Sequence, residues 1–233
     1  MLAKFLQTKL FVLALCWLGL IGTVQAQESQ AQASCPAHVV VEKEALQSPS
    51  QIIAGVTADV LAEIDQHRAR VDDAADESIK AQQFNCFITQ VDSILGSIID
   101  FDWIALKVMG GDGKVASTEQ KEAFAEAFRS GLVDTYGRGL LSYSSQEIVL
   151  LPGEEIGEKR KVTVRQKIVG ADASYPLHYT MGFKNGEWKV INVVINGINL
   201  GKVFRKQFFD ASRKNEGDID KVIASWDSGL NNG

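Results

Sequence analysis

The most regular hydrophobic pattern in the chain runs through "STEQKEAFAEAFRSGLVDTYGRGLLSY". There Phe124, Phe128, Leu132, Tyr136 and Leu140 recur at every fourth position without a miss, and Glu, Arg and Asp fill the opposite face. That spacing predicts a core-facing amphipathic helix. Ser117 followed by Gln120 is a capping-box pair that marks its start. Upstream, "SPSQIIAGVTADVLAEIDQHR" carries Pro49, suited to a first helical turn. Ile52, Val56, Val60 and Ile64 follow at i+4, widened by Ile53 and Leu61. The charged stretch "HRARVDDAADESIK" breaks this stripe. "CFITQVDSILGSIIDFDWIALKVMGG" then predicts two short core helices that stop at Gly110 and Gly111.

After Tyr143 the period changes from 3.6 to 2. "QEIVLL", "KRKVTVRQKIVG", "YPLHYTMGFKNG" and "EWKVINVVINGINL" predict four strands, with Asn185-Gly186 as a hairpin turn. Val162, Val164 and Ile168 alternate with Thr163, Arg165 and Lys167, while Tyr175, Leu177, Tyr179, Met181 and Phe183 share a face. The chain closes with helices around "KVFRKQFFDASRK" and "DIDKVIASWDSGL". Helices, then strands, then helices predict an α+β fold, with helices wrapped around a curved antiparallel sheet of about four strands.

The last strand departs from simple alternation. Trp188, Val190 and Val194 fall on one side, and Ile191, Val193 and Ile195 on the other. A half-solvated strand has one apolar face. The surplus leaves two arrangements open: a three-layer structure with a filled core, or helices and curled sheet enclosing an apolar cavity.

Residues 1–26 belong to a different problem. Lys4 and Lys9 precede the apolar run "LFVLALCWLGLIG", and Val24 and Ala26 supply small residues before a cleavage point. This is the layout of a secretory signal peptide, too short for a spanning helix. Neither Cys16 nor Cys35 lies in a lipobox. Residues 27–47, rich in Gln, Ala and Ser, read as a poorly ordered lead-in, and 48–230 as one domain. Removing 26 residues and two lysines leaves 207 residues with net charge −7, an acidic chain that argues against nucleic-acid binding. Cys35 and Cys86 remain, an even count in an oxidising compartment, which predicts a disulfide; the other arrangement is two buried thiols.

Candidate chemistry is sparse. His38, His67 and His178 have no partners at metal-ligand spacing, and no catalytic or phosphate-loop motif is present, so neither a metal nor a cofactor is expected. Asp100 and Asp102 in "DFDWIA" form the best carboxylate pair for acid–base work or a cation, but solvated carboxylates capping a helix start are the plainer reading. His178 lies on the polar face of its strand.

Taken together, "DFDWIALKVMG", the "STEQKEAFAEAFRSGLVDTYGRGLLSY" helix and "EWKVINVVINGINL" resemble the MlaC family, also called the toluene-tolerance auxiliary family, over about residues 48–230. The resemblance implies a non-catalytic periplasmic carrier. Such a carrier takes phospholipid between an outer-membrane lipoprotein complex (MlaA-like) and an inner-membrane ABC transporter complex with MCE domains. It also implies that the apolar surplus lines a lipid cavity. By period, the lining is expected to include Val164, Tyr179, Met181, Val193 and Ile195 from the sheet. Phe101, Ile104, Leu132, Tyr136 and Leu140 are expected from the helices. Lys121, the segment "GGDGKVAS", Asn192, Asn196 and the two cysteines depart from the family pattern; the two amides replace an Asp and a Glu. Two other classes fit the bare pattern: a cone-shaped α+β isomerase or hydrolase using Asp102 or His178, and an adaptor with a filled core.

Overall fold

A computed structural model describes residue 35 and residues 47–72, 76–144 and 146–229. The expectations for residues 1–26, and for 27–47 apart from Cys35 and Gln47, lie outside the described residues.

Helices α1 (Pro49–Asp72), α2 (Glu77–Gly96), α3 (Phe101–Met109) and α4 (Thr118–Leu140) come first, with a single 3-10 turn at Asp112–Lys114. Strands β1 (Glu147–Leu150), β2 (Lys161–Val169), β3 (Ser174–Lys184), β4 (Glu187–Ile195) and β5 (Ile198–Asn199) follow in an open antiparallel meander ordered as in the chain. Helices α5 (Leu200–Lys214) and α6 (Ile219–Gly229) end it. The class is α+β, with five strands where the sequence suggested about four. Asn196 and Gly197 both adopt positive φ, 49° and 80°, as Asn185 and Gly186 do at 53° and 84°. That is the backbone of a type I′ hairpin turn, so what reads as one long strand folds back into β5.

Local chemistry sets the helix ends. Ser117 accepts from the Gln120 N–H while the Gln120 side chain accepts from the Ser117 N–H, closing the capping box of α4. Asp100 caps α3 by accepting from the Trp103 N–H at 3.0 Å. The charged stretch after Ile64 does not end α1. Glu63 and His67 are buried, and Glu63 meets Arg70 at 2.5 Å, so the helix runs on to Asp72 with a polar continuation of its buried face. Cys35 and Cys86 are joined by a disulfide with 5.4 Å between their Cα atoms.

Strand β4 contains a bulge. Val190 pairs with Met181, then Asn192 with Thr180, Val193 with Tyr179 and Ile195 with Leu177, so Ile191 is the extra residue. The extra residue reverses the alternation beyond it. Val190, Val193 and Ile195 therefore share one face, which corrects the two-faced reading of this strand. Ile191 turns to the other side, where Gly182 leaves it room: a Cβ there would sit 3.2 Å from its Cδ1. At the bulge, Val190 exchanges hydrogen bonds with the chain entering α3, accepting from the Asp100 N–H and donating to the Ile98 carbonyl.

Apolar packing forms three centres. Phe124 and Phe128 of α4 meet Phe204, Phe208 and Trp226 of α5 and α6 in a filled aromatic block. Ile52, Ile53 and Ile98 cover Val162, Val164, Met181 and Val190 at one end of the sheet. Ile64, Phe87, Val91 and Val133 join α1, α2 and α4.

Candidate functional site: an apolar cavity

Between the second and third of these centres the side chains do not meet. A cavity of about 320 Å³ opens there, walled by α1, the end of α2, the second half of α4 and one face of the sheet. Its lining is almost wholly hydrocarbon: Val56, Val60, Leu61 and Ile64 from α1, Leu95 from α2, Leu132 and Leu140 from α4, and Ile168, Leu177, Val193 and Ile195 from the sheet. No Asp, Glu, Lys, Arg or His is among the lining residues. Such a space excludes charge and favours chains of methylenes.

Its polar atoms satisfy one another. The Tyr179 hydroxyl donates to Gln166 Oε1 at 3.1 Å, Gln166 Nε2 donates to Thr57 Oγ1 at 2.9 Å, and Thr57 Oγ1 donates to the Ile53 carbonyl at 2.7 Å. This relay ties α1 to β2 and β3 across the cavity wall. Burial pushes the Tyr179 phenol well above its ordinary pKa, so the group stays neutral and adds no charge to the lining. Tyr136 is 44% exposed while lining the cavity, which places it at a mouth. Its ring stands edge-on to Phe204 of α5 at 6.4 Å. Two further exposed side chains share that face of the sheet by register: Tyr175, opposite Ile168, and Ile198, opposite Ile195.

The family model described as "MlaC protein" matches residues 59–228. The chain belongs to the MlaC family. It is 36% identical over 184 residues to the toluene tolerance protein Ttg2D of Pseudomonas putida, spanning 78% of this chain and 81% of that one. Over 130 residues it is 29% identical to the intermembrane phospholipid transport system binding protein MlaC of Haemophilus influenzae, covering 54% of this chain and 61% of the relative. A solved phospholipid-binding protein from Ralstonia solanacearum, in complex with a phospholipid, shares the fold. It has a TM-score of 0.67 at 21% identity, covering 79% of this chain and 98% of that one.

Within this MlaC fold the residues picked by period divide. Leu132, Tyr136, Leu140, Tyr179, Val193 and Ile195 line the cavity. Val164 and Met181 share the lining face of the sheet but are 2% and 0% exposed beneath Ile52, Ile53 and Ile98, in the filled end. Phe101 and Ile104 pack against the aromatic block and belong to that core instead. The α1 wall and Gln166 were missed, although the i+4 stripe of α1 is plain in the sequence. Nothing local distinguishes a stripe that meets a partner from one that meets a void.

The alternative chemistry finds no footing in the cavity. Asp100 is occupied in capping and lies 3.6 Å from Lys184, Asp102 is exposed, and His178 points to the sheet face opposite Leu177 and Tyr179. Among the described residues no group of His, Cys, Asp and Glu is placed to hold a metal ion. Asn192, where the family pattern has Asp, accepts from the Gly201 N–H and so helps cap α5 beside the Asn199 cap. Asn196 supplies the positive φ of the second hairpin turn. The turn explains the second departure; an aspartate would accept equally well at 192, and nothing in the structure explains the amide there.

Proposed function

We propose that this protein is a periplasmic phospholipid carrier that shuttles lipid between the outer and inner membranes as the mobile component of a lipid-asymmetry transport system. The observation that carries the reading is the uncharged cavity of about 320 Å³ between α1, α4 and the sheet. It falls in the range of about 300–1,000 Å³ typical of ligand sites. Membership of the MlaC family and the names of its relatives support the same reading, as does the lipid held by the Ralstonia protein of like fold. Among the described residues no helix is long and apolar enough to cross a membrane.

The energetics set the mechanism. Each buried methylene gains about 0.8 kcal/mol, so about a dozen of them, as many as a cavity of about 320 Å³ holds, give a gross gain of about 10 kcal/mol. A gross gain of that size corresponds to a dissociation constant between about 1 nM and 1 μM. Release into water would surrender that gain and leave the tails exposed, so free lipid in solvent is not the route between membranes. Unloading therefore takes place on partners that open the cavity: an inner-membrane ABC transporter complex with MCE domains and an MlaA-like outer-membrane lipoprotein.

Organic extraction of the purified mature chain, followed by mass spectrometry, is expected to recover phospholipid in roughly equimolar amount. Recovery of none overturns the reading. Leu132→Trp, which places an indole in the cavity at an overpacking cost of about 1–3 kcal/mol, is expected to deplete the lipid while the chain stays folded. Undiminished lipid in that variant puts the binding site elsewhere.

A further inference from the structure

Helix α5 departs from the logic of its own dipole at its N-terminus. Helix N-termini favour acids and C-termini favour bases. Accordingly, α2, α3, α4 and α6 each place an acid in the first turn, Glu77, Asp102, Glu119 and Asp220. Helix α5, like α1, has none there, and Lys202, Arg205 and Lys206 occupy its first half. With Arg213 and Lys214 it holds five basic side chains against the single acid Asp210. The whole chain carries −5, so α5 contributes +4 and everything else −9.

The cations form a surface. Phe204, Phe208 and Ser212 are buried, while Lys202, Lys206, Phe209 and Arg213, at i, i+4, i+7 and i+11, make a solvent stripe on the other side. Phe209 is 57% exposed and lies beneath the Arg213 guanidinium, 5.8 Å from the ring centre. Val203 is exposed beside the stripe, and Lys206 meets Asp210 at 2.6 Å. Helix stability explains Arg213 and Lys214, which lie in the last turn. It does not explain Lys202 in the first turn, nor an exposed Phe among the cations. Basic residues interleaved with exposed hydrophobics on one helix face suit the boundary between headgroups and acyl chains. Helix α5 lies beside the mouth: its buried face meets Tyr136 through Phe204, and Ile198, 58% exposed on the cavity side of the sheet, stands two residues before the helix.

We propose that the solvent face of α5 docks on an anionic bilayer surface and turns the cavity mouth toward it. The acidic remainder of the chain, repelled by the same surface, fixes the orientation and keeps the contact reversible. This goes beyond lipid carriage, because a protein with an empty or blocked cavity docks in the same way.

The test is flotation of the mature chain with vesicles of phosphatidylglycerol and phosphatidylcholine in equal parts, against vesicles of phosphatidylcholine alone, at low and high salt. Binding is expected on the anionic vesicles only, and is expected to weaken as salt screens the charges. Replacing Lys202, Arg205 and Lys206 together by Gln is expected to weaken it about a hundredfold, from about fivefold per cation. Phe209→Ser is expected to weaken it further, and Lys159→Gln with Lys161→Gln to leave it unchanged. Circular dichroism and extracted lipid are read on every variant; folding and cargo are expected to stay at wild-type levels, so loss of docking is distinguishable from failure of the carrier reading. Equal binding to both vesicle types, binding to neither, or a triple Gln variant that floats like wild type overturns the proposal. Capture of α5 by an acidic protein without any vesicle binding overturns it as well.

Discussion

Gln166 is 2% exposed and lines an apolar cavity, a placement that is stable only because its amide is bonded on both sides, to Tyr179 and Thr57. Removing one partner of a buried hydrogen bond strands the other at a cost of about 1–3 kcal/mol, while replacing both by apolar groups is close to neutral. Gln166→Leu is therefore expected to destabilise the chain by about 1–2 kcal/mol in urea unfolding, and Tyr179→Phe added to it to restore most of the loss. Additive losses in the double variant would mean that the two side chains are not coupled. Gln166 also marks a limit of sequence reading. Its neighbours Val162, Val164 and Ile168 announce an inward strand face, and a polar residue in that row is placed inward by register alone, with nothing local to reveal its partners on another strand and a distant helix.

At the scale of elements, α4 is the most legible part of the molecule and also the most instructive. Its cap, its length and its stripe all follow from the sequence, yet the two halves of one stripe do different work. Phe124 and Phe128 are fully buried against Phe204, Phe208 and Trp226, whereas Leu132, Tyr136 and Leu140 border empty space. Identical spacing therefore carries unequal cost. Phe128→Ala is expected to lose about 3–5 kcal/mol. Tyr136→Ala, at a mouth and 44% exposed, is expected to lose under about 1 kcal/mol. Denaturant midpoints of the two variants check this, and equal losses would contradict the division of the helix. The sheet was legible in its strands and less so in its details. A period-2 count cannot register the one-residue insertion at Ile191, and Asn196-Gly197 was submerged in the apolar run around it, although its chemistry matches the Asn185-Gly186 turn that was read correctly. The α1 wall illustrates the converse: the stripe was visible, but whether a neighbour fills the space in front of it is a tertiary fact.

At the scale of the whole molecule, the disulfide closes a segment of 51 residues that contains all of α1. In the chain-entropy account, a loop of this length raises stability by about 4 kcal/mol, chiefly by restricting the unfolded chain. Cys35→Ser combined with Cys86→Ser is expected to lower the unfolding free energy by up to that amount, and wild-type protein in reductant to fall to the same midpoint. A reductant-insensitive midpoint would show that the bridge adds nothing. The two sides of the cavity are thus held by different means. Helix α4 is embedded in an aromatic block from Phe124 to Phe128, while the contacts of α1 with the sheet are the isoleucines of its first turns and the Thr57–Gln166 bond.

That asymmetry makes the protein a vise with one fixed jaw. The aromatic block resists any shift of α4, so a widening of the cavity falls on the α1 side, where the grip on the sheet is a few isoleucines and one amide bond, and the grip on α2 and α4 is Ile64 against Phe87, Val91 and Val133.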